Sequence, residues 1–146
     1  MAPAKDQLAL DDHLCFALYA ASRAMTARYR PLLDPLGLTY PQYLVMLALW
    51  ESDEATVTEL GDKLLLDSGT LSPLLKRLEA AELVSRRRRA DDERSLLIRP
   101  TERGWRLRSK AARVPAMIRA SLADFDVPAM TGELHDLAGA LRAGDL

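Results

Sequence analysis

The sequence predicts a mainly α-helical chain with a single small β-hairpin, and three observations carry that expectation. Apolar residues recur at helical spacing through most of the 146 residues. Capping signals stand where those stretches begin: "TYPQ" and "TVTE" set Thr39 and Thr56 three residues before Gln42 and Glu59. One region departs from the helical period, where "LVSRRRR" and "SLLIR" each read as a short strand and "ADDER" between them has the polar composition of a hairpin tip.

Taken in order, Asp11 and Asp12 offer caps to a first helix with Leu14, Leu18, Ala21 and Met25 on its apolar side, and Pro31 disfavours its continuation. The helix after Thr39 carries Leu44, Val45, Leu47, Ala48 and Leu49 and should be buried through much of its length. A short helix follows over about 57–65, then "LLDSG", then a helix from Ser68 or Thr70 to Ala81 with Leu71, Leu74, Leu75 and Leu78 inward. That is helix-turn-helix spacing. Pro73 removes one amide donor, which a helix tolerates near its start. After the hairpin, Thr101 restarts a helix through Trp105, Leu107 and Ala111 to about Val114, where Pro115 kinks or interrupts it. Pro128 suits the first turn of a last helix ending near Arg142, before Gly144.

Composition narrows the function classes. With 49% apolar residues the chain can fill a core as one domain over 1–146. It has no 18-residue apolar run, so a membrane span is not expected. The opening "MAPAKDQLAL" lacks a signal-peptide arrangement, and a cytoplasmic location is expected. Cys15 is the only cysteine, so a disulfide needs a small thiol or a second subunit. His13 and Cys15 diverge by about 160° on a helix, which is poor chelating geometry, and no metal or other cofactor is expected. The net charge of −1 hides an asymmetry: residues 68–113 hold 13 Lys and Arg against 6 Asp and Glu, so the remainder is acidic. A basic segment within an acidic protein suits nucleic acid.

A helix-turn-helix followed by a basic hairpin is a winged helix-turn-helix. One helix enters the major groove while hairpin arginines lie along phosphates or reach the narrow minor groove. Ser68, Thr70, Ser72, Lys76 and Arg77 lie on the non-apolar side of the second helix, suited to base edges and phosphates. Arg86 and Arg88 belong to the basic strand.

Residues 57–104, "VTELGDKLLLDSGTLSPLLKRLEAAELVSRRRRADDERSLLIRPTERG", resemble the signature region of the MarR family of transcription regulators, and the likeness covers about 11–143. Asp92, Glu93 and Arg94 match that family's Asp-x-Arg, which implies that Arg94 enters the minor groove and Asp92 helps orient a wing arginine. Thr101 and Gly104 match its Leu-Thr-x-x-Gly, with Pro100 in place of Leu. Glu82 stands where the family commonly has Gly, and a non-Gly residue in a left-handed cap costs about 1 kcal/mol, so a differently built helix end is expected. The resemblance implies a DNA-binding lobe over about 39–113 and dimerisation helices over about 11–35 and 115–146.

"HLCFALYAASRAMTARYR" aligns Cys15, Tyr19, Ser22, Thr26 and Tyr29 within about 40° on one helical side. Cys15 lies near the helix start, where the dipole favours a thiolate, and phenols can donate to sulfur without adding charge. Tyr29 is 14 residues on, about 21 Å along the helix, and cannot reach its own cysteine. An antiparallel second copy, paired about a two-fold near Ser22, brings Tyr29 of one chain to Cys15 of the other. Cys15, Tyr29 and Tyr40, with Tyr19 nearby, fall at positions resembling the organic-hydroperoxide-sensing branch of the family. That likeness implies a homodimeric repressor of double-stranded operator DNA. An organic hydroperoxide oxidises Cys15, and a low-molecular-weight thiol then forms a mixed disulfide.

Three other readings compete. A small phenolic or carboxylate ligand could release the operator without covalent chemistry. A thiol peroxidase would need a scaffold and a resolving cysteine that the sequence does not offer, so no enzyme is expected. A protein-docking winged helix would leave DNA affinity weak and insensitive to salt.

Overall fold

The structure, a computed structural model, describes residues 8–89 and 92–144, with backbone alone at 92–95. The chain divides into two compact units, Met1–Ala112 and Arg113–Leu146. The elements of the first are α1 (Leu14–Leu33), α2 (Tyr40–Ser52), β1 (Ala55–Thr56), α3 (Val57–Leu64), α4 (Ser68–Ala80), β2 (Val84–Arg89), β3 (Asp92–Pro100) and α5 (Glu102–Ala111). The second holds α6 (Val114–Ala120) and α7 (Val127–Ala143). No helix among the described residues is long and apolar enough to cross a membrane.

Local chemistry explains most boundaries. At α2 the capping box is complete: Thr39 Oγ1 accepts from the Gln42 amide at 3.3 Å, and the Thr39 amide donates to Gln42 Oε1 at 3.0 Å. At α3 Thr56 Oγ1 accepts from the Glu59 amide at 3.1 Å. Asp67 caps α4 through the Thr70 amide at 2.7 Å, and Asp126 caps α7 through the Ala129 amide at 3.1 Å. The stop ahead of Pro115 falls at 112–113, and Pro115 sits in the first turn of α6, where its missing N–H costs little.

Four expectations are corrected. The N-cap of α1 is His13, with no side-chain capping bond, rather than Asp11 or Asp12, which lie in a 3-10 turn, Leu10–Asp12, closed by the His13 amide on Leu10 O. Pro31 does not end α1, which runs on to buried Leu33; a proline φ is helical, and in the last turn only one bond is lost. Asp92, Glu93 and Arg94 are not hairpin tip but strand, because Arg89 pairs with Asp92 after a register shift beyond Arg88. The end of α4 is built in the ordinary left-handed way despite Glu82, which takes φ 59° while the Leu83 amide donates to Leu78 O at 3.0 Å.

What holds Glu82 there is the turn into α5. Thr101 Oγ1 donates to Glu82 O at 2.6 Å, and the Thr101 amide donates to Leu83 O at 3.0 Å. The same Thr101 hydroxyl accepts from the Gly104 amide at 3.1 Å, capping α5. Gly104 can only be glycine, since a Cβ there would stand 2.2 Å from Leu83 O. Its carbonyl accepts from buried Trp50 Nε1 at 3.0 Å. The Thr-x-x-Gly motif thus fastens α2, the end of α4 and the start of α5 together.

The core of this unit is Tyr43, Val45, Met46 and Leu49 of α2, Leu60 of α3, Leu71, Leu75 and Leu78 of α4, and Val84 and Ile98 of the sheet, each 2% exposed or less. All four leucines assigned inward on α4 are buried, and each such burial stabilises by roughly 1.5–3 kcal/mol. Leu47 alone of the residues assigned inward on α2 turns out, at 39% exposure. The sheet is antiparallel in the order β1-β3-β2, with Ala55 opposite Ile98 and Val84 opposite Pro100. Two-residue β1 was not foreseen.

Candidate nucleic-acid interface and redox site

The α3–α4 pair turns through Leu65, which takes φ 58° as the Leu66 amide donates to Gly61 O at 2.9 Å. A side chain at position 61 would meet Leu66 O at 2.9 Å, so this turn requires glycine. The turn leaves Ser68, Thr70, Ser72, Lys76 and Arg77 exposed along α4, opposite its four buried leucines. The Thr70 side chain and amide hold the Asp67 carboxyl below its usual range, so the N-terminus of α4 stays capped at neutral pH. Pro73 is the sixth residue of α4, and the helix continues through it.

On β2, residues 84, 86 and 88 share a face. Arg86 is engaged: its Nε and Nη2 donate to Glu79 Oε2 and Oε1 at 2.9 and 3.0 Å. This bidentate pair ties α4 to the wing and holds the Glu79 carboxyl below its usual range. Arg88 is exposed. Asp92 and Arg94 lie on β3 by backbone, and their side chains fall outside the described residues.

The sulfur site is split. Cys15 is exposed at the second position of α1, and Tyr19, one turn on, carries the Arg23 guanidinium 5.5 Å from its ring centre. Tyr29 and Tyr40 meet at a ring-centre distance of 4.8 Å, on two different helices. Cys15 and Tyr29 both belong to unbroken α1, which separates them by about 21 Å. Sequence reasoning missed Tyr43, 5.8 Å from Tyr29 and 6.4 Å from Tyr40; the signal was its i, i+3 spacing from Tyr40. Burial, then the neighbouring Tyr40 and Tyr43, push the Tyr29 phenol up to about 12. Burial also raises Tyr40 and, with Tyr40 beside it, Tyr43. All three are therefore neutral donors at physiological pH.

Helix α1 is largely uncovered: Leu14, Phe16 and Tyr19 are 60%, 40% and 59% exposed, and Leu33 is its one buried residue. In the second unit, α7 has no buried residue and exposes Met130, Leu134 and Leu141.

Comparison with known proteins decides the family. The model of the transcriptional regulator SarA/Rot family matches residues 27–110, more than half of the chain. The organic hydroperoxide resistance transcriptional regulator of Bacillus subtilis is 53% identical over 113 residues, 77% of this chain and 77% of that protein. The chain belongs to the MarR family, in its organic-hydroperoxide-regulator branch.

Solved MarR-type structures agree with this assignment. Reduced AbfR bound to DNA is 33% identical with a TM-score of 0.78, covering 92% of this chain and 96% of that one. Overoxidized AbfR, also bound to DNA, is 38% identical with a TM-score of 0.76, covering 90% and 94%. AbfR is a Staphylococcus epidermidis protein. AbsC, a MarR family regulator from Streptomyces coelicolor, is 27% identical with a TM-score of 0.77, covering 88% and 91%. This chain has the winged-helix fold of the MarR-family transcription regulators. Release by a non-covalent phenolic or carboxylate ligand is not favoured by these relatives.

Proposed function

We propose that this MarR regulator is a cytoplasmic homodimer that holds its operator while Cys15 is reduced and lets go when an organic hydroperoxide oxidises it. The observation that carries the reading is the face of α1. An exposed thiol stands at one end and a tyrosine cluster at the other, equally far from Ser22, with uncovered apolar side chains between. A second α1 laid antiparallel about Ser22 would cover those side chains and bring Tyr29 and Tyr40 of each chain to Cys15 of the other.

The chemistry follows from a stabilised anion. The Cys15 amide lies in the first turn of α1, where the helix dipole favours negative charge, and phenol O–H groups donate to the sulfur. The thiolate attacks the terminal oxygen of the hydroperoxide: an S–O bond forms, the O–O bond breaks, and the departing alkoxide takes a proton from water to leave as an alcohol. Cys15 is then a sulfenic acid. With no second cysteine in the chain, a low-molecular-weight thiol condenses with it, forming a mixed disulfide and releasing water. The adduct displaces the phenols, α1 shifts against its partner, and the two DNA-binding lobes lose the spacing of their half-sites.

On DNA, α4 occupies the major groove through Ser68, Thr70, Ser72, Lys76 and Arg77, and the wing lays Arg88 and Arg94 toward backbone and minor groove, with Asp92 orienting a wing arginine. Arg86, held by Glu79, sets the angle between α4 and the wing. A cavity of about 180 Å³ opens beside Tyr40, with Leu33, Leu38 and Pro41 as its apolar lining and Thr26, Arg30, Asp34 and Thr39 as its polar lining, and it is the space we assign to the organic hydroperoxide.

The test is a gel-shift series on the DNA upstream of the gene, with wild type and Cys15→Ser, with and without an organic hydroperoxide plus a small thiol. Wild type should release DNA after treatment and Cys15→Ser should stay bound. Release of Cys15→Ser by the same treatment would sink the reading. Hydrogen peroxide at a matched low dose should release less wild type than the organic hydroperoxide does.

A further inference from the structure

Tyr43 has no part in the site as the sequence suggested it, and its surroundings are unusual for a core tyrosine. It is 2% exposed, yet its hydroxyl makes no hydrogen bond among the described residues. Among those residues no side-chain nitrogen or oxygen is both buried and unpartnered. The Tyr43 oxygen therefore keeps some exposure, and its ring packs against those of Tyr29 and Tyr40. Among the described residues no hydrogen bond acts on the Tyr29 or Tyr40 hydroxyl. Three phenol rings thus pack together, and none of their hydroxyls has a hydrogen-bond partner among the described residues.

We infer that Tyr43 is a third phenol donor of the sulfur site, completing with Tyr29 and Tyr40 a cradle of three O–H groups for the partner's thiolate. This rests on the trans arrangement proposed above. The rings pack at mutual tilts of 42–47°, so each ring fixes its neighbours, and the donors are arranged before the sulfur arrives. A preorganised set of neutral donors stabilises an anion without the rearrangement that water would need. Burial is the first cause that raises each phenol, and the neighbouring rings add to it for Tyr29 and Tyr43, so all three stay protonated and able to donate at physiological pH. Because its ring is in the core, Tyr43 also ties the cradle to α2, next to Met46 and Trp50 on the same helix.

The experiment compares Tyr29→Phe, Tyr40→Phe and Tyr43→Phe in the reduced full-length protein. It reads the Cys15 thiol titration from the pH profile of alkylation, the rate of reaction with an organic hydroperoxide, the melting temperature and the operator affinity. Loss of one hydrogen bond to a charged acceptor is expected to raise the thiol pKa by roughly one unit and slow alkylation below that pKa about tenfold. Tyr43→Phe should do this with its ring packing, melting temperature and reduced-state DNA affinity unchanged. Replacing Tyr43 by a fluorinated, more acidic tyrosine should move the thiol pKa the opposite way. If Tyr29→Phe and Tyr40→Phe shift the titration while Tyr43→Phe and the fluorinated tyrosine leave it at the wild-type value, the third donor is wrong and the proposed function stands. If none of the three changes shifts it, the cradle and the proposed mechanism fail together.

Discussion

Gly104→Ala should be among the most damaging small substitutions in the chain, and its cost can be worked from neighbouring atoms. The added methyl would sit 2.2 Å from Leu83 O, far closer than a real Cβ approaches any atom, and the obstacle is backbone. Either Leu83 or the first turn of α5 must move. Moving Leu83 disturbs the bond its carbonyl takes from the Thr101 amide; moving α5 pulls the Gly104 carbonyl off Trp50 Nε1. Overpacking costs about 1–3 kcal/mol, and a buried donor left without its acceptor about 1–3 more. A loss of roughly 3–4 kcal/mol lowers the melting temperature by about 10 °C at this chain length. Gly69→Ala is the control: its nearest neighbour would be Asp67 Oδ1 at 3.6 Å, an ordinary separation. Alanine in a helix there should stabilise by about 0.5–1 kcal/mol. Thermal melts of both variants at one fixed protein concentration check the sign and size. A Gly104→Ala protein melting within about two degrees of wild type, against the larger shift expected at this size, would refute this account of the Thr-x-x-Gly fastening.

The other predictions concern charge and caps. Because burial raises Tyr29 to about 12, folding keeps its full contribution below pH 10 and loses it as pH climbs from about 10 to 12; an alkaline titration of tyrosinate absorbance with parallel melts should show both together. Since Arg86 is bound to Glu79, Arg86→Ala should change the salt dependence of operator binding less than Arg88→Ala, which should reduce the slope by about 0.9 for each phosphate that Arg88 neutralises. Equal changes for the two would show that Arg86 leaves Glu79 on DNA. Thr39→Ala, which breaks the capping box, should cost about 1 kcal/mol in urea unfolding with no change of slope.

The parts legible in the sequence were those fixed by local rules. The leucines of α4 at i, i+3, i+4 and i+7 could face only one way, and the threonine caps at 39, 56 and 101 each govern an amide three residues on. What escaped depended on partners distant along the chain. Two-residue β1 exists because Ala55 and Thr56 find the free edge of β3, and no periodicity marks so short a strand. Glu82 keeps its left-handed cap because Thr101 grips its carbonyl from 19 residues away. Arg86 reads as one of four equivalent arginines until Glu79 selects it. In the sulfur site, the stripe from Cys15 to Tyr29 was visible along one helix. The meeting of Tyr29 with Tyr40 and Tyr43 across two helices was not.

The central claim is that each thiolate is served by the other chain's phenols, and a mixed dimer tests it most directly. One chain carries Cys15→Ser with its tyrosines intact; the other keeps Cys15 but carries Tyr29→Phe and Tyr40→Phe. If phenols act across the two-fold, this dimer holds one complete site, and its single thiol should react with an organic hydroperoxide at the wild-type rate per site. A thiol as slow as in a slowed Tyr29→Phe, Tyr40→Phe homodimer would mean that the sulfur depends on its own chain, and a homodimer as fast as wild type would mean that it depends on neither; either result would contradict the account.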